Sequence, residues 1–218
     1  MKLEDRIEAF VSLGNKIEGL KESEKLEIAD NAAQSNAWFT KESVISALAG
    51  IRSFLNRDSL TEWISKYEFN EVKQKTVGVA MAGNIPLVGF HDILCILISG
   101  HQVLAKRSSQ DSYLITLVCD WLIEINPDFK TKIKFEERLN GVDAVIATGS
   151  DNSSRYFEYY FRKIPHVIRK NRTSYAVLIG EESSELLTEL GKDVFTYFGL
   201  GCRNVSKIYV PEDYKFIQ

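Results

Sequence analysis

The sequence lacks the features that mark several large classes of protein. None of its apolar runs approaches the ~20 residues that span a membrane, and the charged start Met1–Arg6 is unlike a secretory signal. An excess of one charge is also missing, because 27 Lys and Arg face 30 Asp and Glu, giving a net charge of −3. We therefore expect a cytoplasmic protein with no membrane span and no general attraction to nucleic acid.

Cysteine is scarce and does not form a metal or disulfide pattern. The three cysteines, Cys95, Cys119 and Cys202, lack ligand spacing, and an odd number argues against a disulfide framework. We expect no bound metal. Cys95 and Cys119 lie in apolar helical runs and are expected in the core. The glycine-containing turns also miss the Walker pattern, which disfavours phosphoryl transfer.

What the sequence does contain is an ordinary globular composition, 44% hydrophobic and 26% charged, with three strand–loop–helix units in succession. The first runs from Val77 through a Gly/Asn/Pro break to Leu94. The second opens with the strand Gln102–Arg107. The third has the strand Val142–Ala147, a turn, and the helix Asp151–Phe161 capped by Ser150 or Asp151. Such repetition predicts a doubly wound parallel sheet with ligands at its carboxyl edge.

Cys202 stands on a glycine-rich turn, Phe198–Asn204, directly before an apolar strand, Val205–Val210. Flanking glycines let a backbone approach a substrate closely, so this position suits a nucleophile. The alternative is that Cys202 is a small apolar residue that happens to occupy a loop.

Four motifs in order resemble the aldehyde dehydrogenase superfamily, and most closely its LuxC-type acyl-CoA reductase branch. They are Gly83-Asn-Ile-Pro86, Leu104-Ala-Lys106, Ala147-Thr-Gly-Ser150 and Gly199-Leu-Gly-Cys202, within residues 76–212. Each follows the appropriate element. The resemblance implies an α/β, aldehyde-dehydrogenase-like fold: a Rossmann-type, three-layer αβα sheet with a helical N-terminal segment and a truncated catalytic domain.

The resemblance also implies roles for named residues. Cys202 would be the nucleophile, and the Asn84 amide would donate to the oxyanion formed beside it. Lys106 would bind the ribose of the cofactor, and the 148–150 turn would lie near its pyrophosphate. The full set of implied cofactor-binding residues is Ala82, Gly83, Lys106, Arg107, Ser109, Thr148, Gly149 and Ser150.

Two departures from the aldehyde dehydrogenase pattern refine this expectation. Where hydrolytic members carry a Glu that activates water, the stretch Ile168–Tyr175 has no carboxylate. General-base assistance typically raises a rate by ~10²–10⁴. Without it, a thioester on Cys202 would hydrolyse slowly and could be reduced by hydride instead. Ser109 stands where NAD-preferring relatives place a glutamate, and with Arg107 it could bind a 2′-phosphate. We expect NADPH rather than NADH. The alternative interpretation of Arg107, as a solvated surface cation, has equal weight.

The resulting hypothesis is an NADPH-dependent acyl-CoA reductase that makes an aldehyde through a cysteine thioester. We expect residues 1–70 to be helical, 71–174 to bind nucleotide and 175–218 to begin the catalytic domain, the whole resembling the amino-terminal part of a longer reductase. An aldehyde-oxidising NAD(P)-dependent dehydrogenase and a non-catalytic nucleotide-binding module are the alternatives. Two kinds of assembly are possible, a homo-oligomer and a complex with an acyl-transfer partner.

One cationic stretch has two interpretations. Five Lys and Arg and one His fall within the eleven residues Arg162–Arg172. Coenzyme A phosphates would suit them, but a solvated charged connection is the simpler prediction.

Overall fold

The computed structural model describes residues 1–69 and 73–215. Contacts divide the chain into two compact units, Met1–Lys170 and Asn171–Gln218. The predicted boundary between residues 70 and 71 and the predicted domain end at residue 218 lie outside the described residues, and the three-part organisation stays a prediction.

The first unit begins with four helices and continues with alternating strands and helices. Its elements are α1 (Leu3–Glu18), α2 (Glu22–Ser35), α3 (Lys41–Phe54), α4 (Arg57–Ile64), β1 (Thr76–Ala80), α5 (Phe90–Ile98), β2 (Gln102–Lys106), α6 (Ser112–Ile125), a 3₁₀ turn (Pro127–Thr131), β3 (Ile133–Phe135), β4 (Ala144–Thr148), α7 (Asp151–Phe161) and β5 (His166–Arg169). The predicted α/β organisation and helical N-terminal segment are therefore present.

The five strands of the first unit form one parallel sheet with the order β3-β2-β1-β4-β5. The chain moves outward from β1 through β2 to β3, and then returns to the other side of β1 with β4. Helices α5 and α6 share one apolar cluster with the N-terminal helices, whereas α7 packs over a smaller cluster formed by Ala80, Val145 and Ala147. This is the doubly wound arrangement, and the order reverses between β1 and β4.

The main core of the first unit joins the N-terminal helices to the sheet. Its largest fully buried side chains include Phe10, Phe39, Phe90 and Phe129. The rings of Phe10 and Phe129 meet edge to face with centroids 5.8 Å apart, a favoured aromatic geometry. Cys119 is buried as expected, whereas Cys95 is only partly buried.

Side-chain caps define where several helices start. A hydroxyl or amide oxygen accepts the backbone N–H three residues on, which satisfies one of the free donors at each helix start. These capping residues are Thr40, Asn56, Ser150 and Ser183. The prediction that Ser150 or Asp151 caps the helix Asp151–Phe161 is confirmed with Ser150.

The second unit is a small parallel two-stranded sheet with one helix. It consists of β6 (Ser174–Val177), α8 (Ser184–Phe195), a 3₁₀ turn (Thr196–Gly199) and β7 (Val205–Tyr209). Strand β7 ends one residue before the end of the predicted strand Val205–Val210. Of its described residues, Asn204 alone is buried.

Candidate active site

Three loops of the first unit lie at the carboxyl edge of its parallel sheet. The register pairs Ala80 with both Lys106 and Ala147, so β1, β2 and β4 end at one level. The residues predicted to bind the cofactor follow these three strand ends. Because strands β1 and β4 flank the point where the strand order reverses, these loops border the crevice in which such sheets bind nucleotides.

The loop after β1, residues 81–89, is fastened to the loop after β2. A Cβ built on Gly83 would lie 2.4 Å from Ser108 Oγ, so only glycine allows the two loops this close. The Met81 N–H also donates to the Lys106 carbonyl at 3.1 Å. The half-buried Asn84 thus lies on a loop that packing holds against its neighbour.

Asp111 provides a second fastening that sequence reasoning missed. It occupies the N-cap position of α6, yet its side chain makes no cap bond; Oδ2 instead accepts the Leu87 N–H at 2.7 Å. Leu87 has φ of 59°, a conformation uncommon outside glycine. In the sequence, an Asp before a helix is indistinguishable from an ordinary cap.

The Asp111 carboxyl is nearly inaccessible, at 2% exposure, and its Oδ1 has no hydrogen-bond partner among the described residues. Burial raises the pKa of Asp111 to about 7, although the hydrogen bond from the Leu87 N–H opposes the shift. The Asp111 carboxyl that binds Leu87 therefore titrates near neutral pH.

At the end of β2, Lys106 and Ser109 are exposed, as cofactor-binding residues would be. The guanidinium of Arg107 is held against the protein: it stacks 4.5 Å from the ring centroid of Phe135 and donates to Thr116 Oγ1. Arg107 is thus an oriented, half-buried group at the ends of β2 and β3, rather than a freely solvated cation.

The turn after β4 is built for close packing. Thr148 ends the strand, Ser150 caps α7, and a Cβ added to Gly149 would lie 2.9 Å from the Cβ of Ser153. The Gly149 N–H donates to the Arg169 carbonyl of β5 at 3.2 Å. The helix α7 therefore points its N-terminus toward the same sheet edge, which favours a pyrophosphate there.

The cationic stretch was predicted to be a solvated connection, and this is wrong for its centre. Residues His166–Arg169 form β5, paired along β4. Arg169 makes two hydrogen bonds, of 2.7 and 2.8 Å, to the buried carboxylate of Asp92 on α5, and Lys170 pairs with Glu158 on α7 at 2.9 Å. Arg169 thus stabilises the fold, because it neutralises the buried carboxylate of Asp92, whereas the exposed pair Lys170–Glu158 contributes little.

Cys202 belongs to the second unit and is exposed there. The backbone that leads to it is unusual, because Tyr197, Phe198 and Gly199 have φ of 53°, 56° and 72°. Consecutive left-handed residues that are not glycine cost free energy and persist only where surrounding contacts enforce them. One side chain joins the turn that follows to the end of α8.

That side chain is Asn204, which sequence analysis placed in the turn but gave no role. Its Oδ1 accepts the Gly201 N–H at 2.7 Å, and its Nδ2 donates to the carbonyls of Asp193 and Thr196 at 2.8 and 2.9 Å. The last carbonyls of a helix have no partner within it, so Nδ2 satisfies groups at the end of α8. A glycine-rich turn that ends in Asn could have signalled such a bond.

The first unit thus brings together nine predicted residues at one sheet edge, whereas Cys202 lies in the second unit. The edge offers an exposed Lys106, an oriented guanidinium and a helix N-terminus, which are groups that suit phosphates and sugar hydroxyls. Among residues 1–69 and 73–215, no cluster of three His, Cys, Asp or Glu could hold a metal ion. No helix in the same ranges is long and apolar enough to cross a membrane.

Comparison with known proteins agrees with this architecture. The model of the acyl-CoA reductase (LuxC) family matches residues 12–217. No curated protein matches the sequence. Among solved structures, an aldehyde dehydrogenase from Bacillus cereus in complex with NAD⁺ is 16% identical, with a TM-score of 0.71 over 97% of this chain and 48% of its own.

Two further solved structures are similar. A putative aldehyde dehydrogenase from Burkholderia cenocepacia is 12% identical, with a TM-score of 0.73 over 97% of this chain and 49% of its own. The glyceraldehyde-3-phosphate dehydrogenase GapN from Methanocaldococcus jannaschii, complexed with NADP, is 15% identical, with a TM-score of 0.71 over 97% and 51%. The predicted aldehyde-dehydrogenase-like fold is confirmed, and the chain spans about half the length of these enzymes.

Proposed function

The chain belongs to the LuxC acyl-CoA reductase family, and from this premise we propose that the protein reduces a fatty acyl-CoA to the aldehyde through a thioester on Cys202. The observation that carries the proposal is the exposed Cys202 on a turn whose neighbouring amide and carbonyl groups are fixed. Aldehyde chemistry and a nicotinamide cofactor also agree with the fold.

The first step is acyl transfer. The Cys202 thiolate attacks the thioester carbonyl, the oxyanion accepts a hydrogen bond from a backbone N–H near Cys202, and the C–S bond to coenzyme A breaks. Coenzyme A leaves as a thiolate and takes a proton from solvent. The acyl group is then bound to Cys202.

The second step is reduction. A bound nicotinamide cofactor would supply hydride to the thioester carbon, and the backbone N–H near Cys202 would donate a hydrogen bond to the oxyanion that results. This anion collapses, the C–S bond to Cys202 breaks, and the thiolate is restored as the aldehyde departs. In sum, acyl-CoA, NADPH and a proton give aldehyde, coenzyme A and NADP⁺.

Residues of the first unit would hold the cofactor. Lys106 would bind a ribose hydroxyl, the Gly83 loop would lie along the dinucleotide, and the 148–150 turn with the N-terminus of α7 would face the pyrophosphate. The close contacts of Gly83 with Ser108 and of Gly149 with Ser153 support this, since they hold both loops in place at the sheet edge.

Intact-mass spectrometry tests the acyl transfer. We would incubate the complete gene product with a long-chain acyl-CoA, without NADPH, beside Cys202→Ala. The wild-type protein should gain the mass of one acyl group, and the variant none. Failure to gain mass across several chain lengths would overturn the proposal and favour an aldehyde-oxidising dehydrogenase or a binding module.

The preference for NADPH rests on Ser109 and Arg107. Ser109 is exposed at the end of β2, and Arg107 is oriented beside it. Substitution Ser109→Glu places a carboxylate where a 2′-phosphate would bind, so the ratio of NADPH to NADH affinity should fall at least about tenfold, or ~1.4 kcal/mol. Titration by nucleotide fluorescence measures both affinities, and Ser109→Ala is the matched control. An unchanged ratio would contradict the NADPH assignment.

A further inference from the structure

The side chain of Asn204 joins three parts of the second unit. It accepts from the turn at Gly201 and donates to two carbonyls at the end of α8, while its own backbone carbonyl accepts the Ser174 N–H of β6 at 3.0 Å. The nucleophile candidate Cys202 lies between Gly201 and Asn204. Residues on both sides of Cys202 are therefore hydrogen-bonded to each other.

The chemistry of this position requires asparagine. An amide offers two N–H donors and an oxygen acceptor, and Asn204 is buried while using all three. Aspartate of the same shape would have no donors when ionised and would bring its oxygens against two carbonyl oxygens. Glutamine carries one more methylene, which would move its amide away from these three partners.

Close packing of Gly201 reinforces the same contact. A Cβ on Gly201 would lie 2.5 Å from Asn204 Oδ1, so the turn closes directly on the amide. The Asn204 N–H also donates to the Gly201 carbonyl at 3.1 Å. Two hydrogen bonds thus close a loop of four residues around Cys202.

We propose that Asn204 is a positioning residue that fixes the Cys202 turn, so that the thiolate and the adjacent backbone N–H groups meet the acyl carbonyl in a reactive orientation. The inference rests on the proposed function and adds a specific residue to it. A misplacement of about 1 Å in such an arrangement can cost ~10²-fold in rate.

The test compares Asn204→Ala with Ser206→Ala in the complete gene product. The control removes a 2.7 Å hydrogen bond, between Ser206 and Thr173, from the same unit but away from the turn. We expect the acylation rate at saturating acyl-CoA to fall about 10–100-fold in Asn204→Ala, with the KM changed less than threefold. The control should stay within twofold of wild type. Equal rates in all three folded proteins would overturn the inference.

Gly201→Ala is a second variant that approaches the same contact from the other side. Its added methyl displaces Asn204, so it too should slow acylation. The double variant Gly201→Ala/Asn204→Ala should be no slower than the slower single variant, since both changes remove one interaction. Additive losses would overturn the inference, and this comparison remains informative where Asn204→Ala folds poorly.

Hydrogen exchange separates this inference from the proposed function, because it needs no substrate. Amides of the 198–204 peptide should exchange at least tenfold faster in Asn204→Ala than in Ser206→Ala, since the Gly201 N–H loses its partner. If the wild-type protein accepts no acyl group but exchange accelerates, the proposed function fails and Asn204 still orders the turn. Unchanged exchange overturns the role of Asn204 whatever the activity.

Discussion

At the scale of single residues, the three cysteines differ mainly in their surroundings. Cys202 is exposed, whereas burial raises the pKa of Cys95 to about 11 and of Cys119 to about 12, with help from the charges of Asp92 and Asp120 respectively. The thiolate is the reactive form of cysteine. Cys202 is thus the exposed thiol of the three, whereas Cys95 and Cys119 are disfavoured as thiolates.

This difference predicts selective alkylation. Iodoacetamide at pH 8 should modify Cys202 at least about tenfold faster than Cys95 or Cys119, because both others are shielded and protonated. Peptide mass spectrometry over a time course measures the three rates in the native protein. Faster labelling of Cys95 would contradict the structure, and a denatured sample, in which all three should react, is the control.

At the scale of elements, the loop 81–89 depends on contacts from the loop after β2. Gly83 packs on Ser108, and Leu87 donates to the buried Asp111. The two contacts lie on either side of Asn84. Residues more than twenty positions away in the chain therefore help to hold the loop that carries the predicted oxyanion donor.

Substitution Gly83→Ala should displace this loop. The new Cβ would meet Ser108 Cβ at 2.5 Å as well as its Oγ, so nucleotide affinity should fall about tenfold or more and the melting temperature should drop. Removing the opposing side chain in Gly83→Ala/Ser108→Gly should restore much of both. Isothermal titration with NADPH and thermal unfolding measure the effects. A tolerated single substitution would show that the loops are not in contact.

Asp111 predicts a specific dependence of stability on pH. Its folded pKa of about 7 lies above the ordinary 3.8, so the folded state binds the extra proton and loses this stabilisation as the pH rises toward and through 7. Asp111→Asn keeps an acceptor for Leu87 but cannot ionise. From pH 5 to pH 8, its free energy of unfolding should gain about 2–3 kcal/mol relative to wild type.

Urea unfolding of both proteins at the two pH values measures this gain. Asp128→Asn changes an exposed carboxylate and is the matched control, with a small expected difference. If the free energies of unfolding of Asp111→Asn and wild type differ by the same amount at pH 5 and pH 8, Asp111 is already ionised at pH 5.

Sequence reasoning found the elements whose ends are marked by glycine, proline or a cap. The strand at Gln102 and the helix Asp151–Phe161 follow such signals closely, but the third strand, predicted as Val142–Ala147, is observed as Ala144–Thr148. Strands β3 and β5 were missed. Three residues of β3 give no measurable alternation, and the charges around β5 concealed a strand that is specified by pairing with β4.

At the scale of the whole molecule, the predicted functions fall on different units. The predicted cofactor residues and Asn84 lie in Met1–Lys170, and Cys202 with Asn204 lies in the unit that begins at Asn171. The motifs were visible in the sequence because each is a short run of characteristic residues. The supporting role of Asp111 was not, since its partner Leu87 lies 24 positions away.

This division predicts separable effects of substitution. Cys202→Ala should abolish acylation and leave the NADPH dissociation constant within about twofold of wild type, because no predicted cofactor residue adjoins Cys202 in the chain. Lys106→Ala should do the reverse, weakening NADPH binding while leaving acylation in the absence of cofactor intact. Nucleotide titration and intact mass measure the two properties. Loss of both in Cys202→Ala would contradict the division.

The direct test of the central claim is single-turnover transfer of deuterium from NADPH labelled at C4. With a long-chain acyl-CoA, the complete gene product should release aldehyde with one deuterium at C1 and an equal amount of coenzyme A, and Cys202→Ala should release neither. Conversion of free aldehyde to acid with NADP⁺, without coenzyme A and with no labelled aldehyde in the forward assay, would contradict an acyl-CoA reductase.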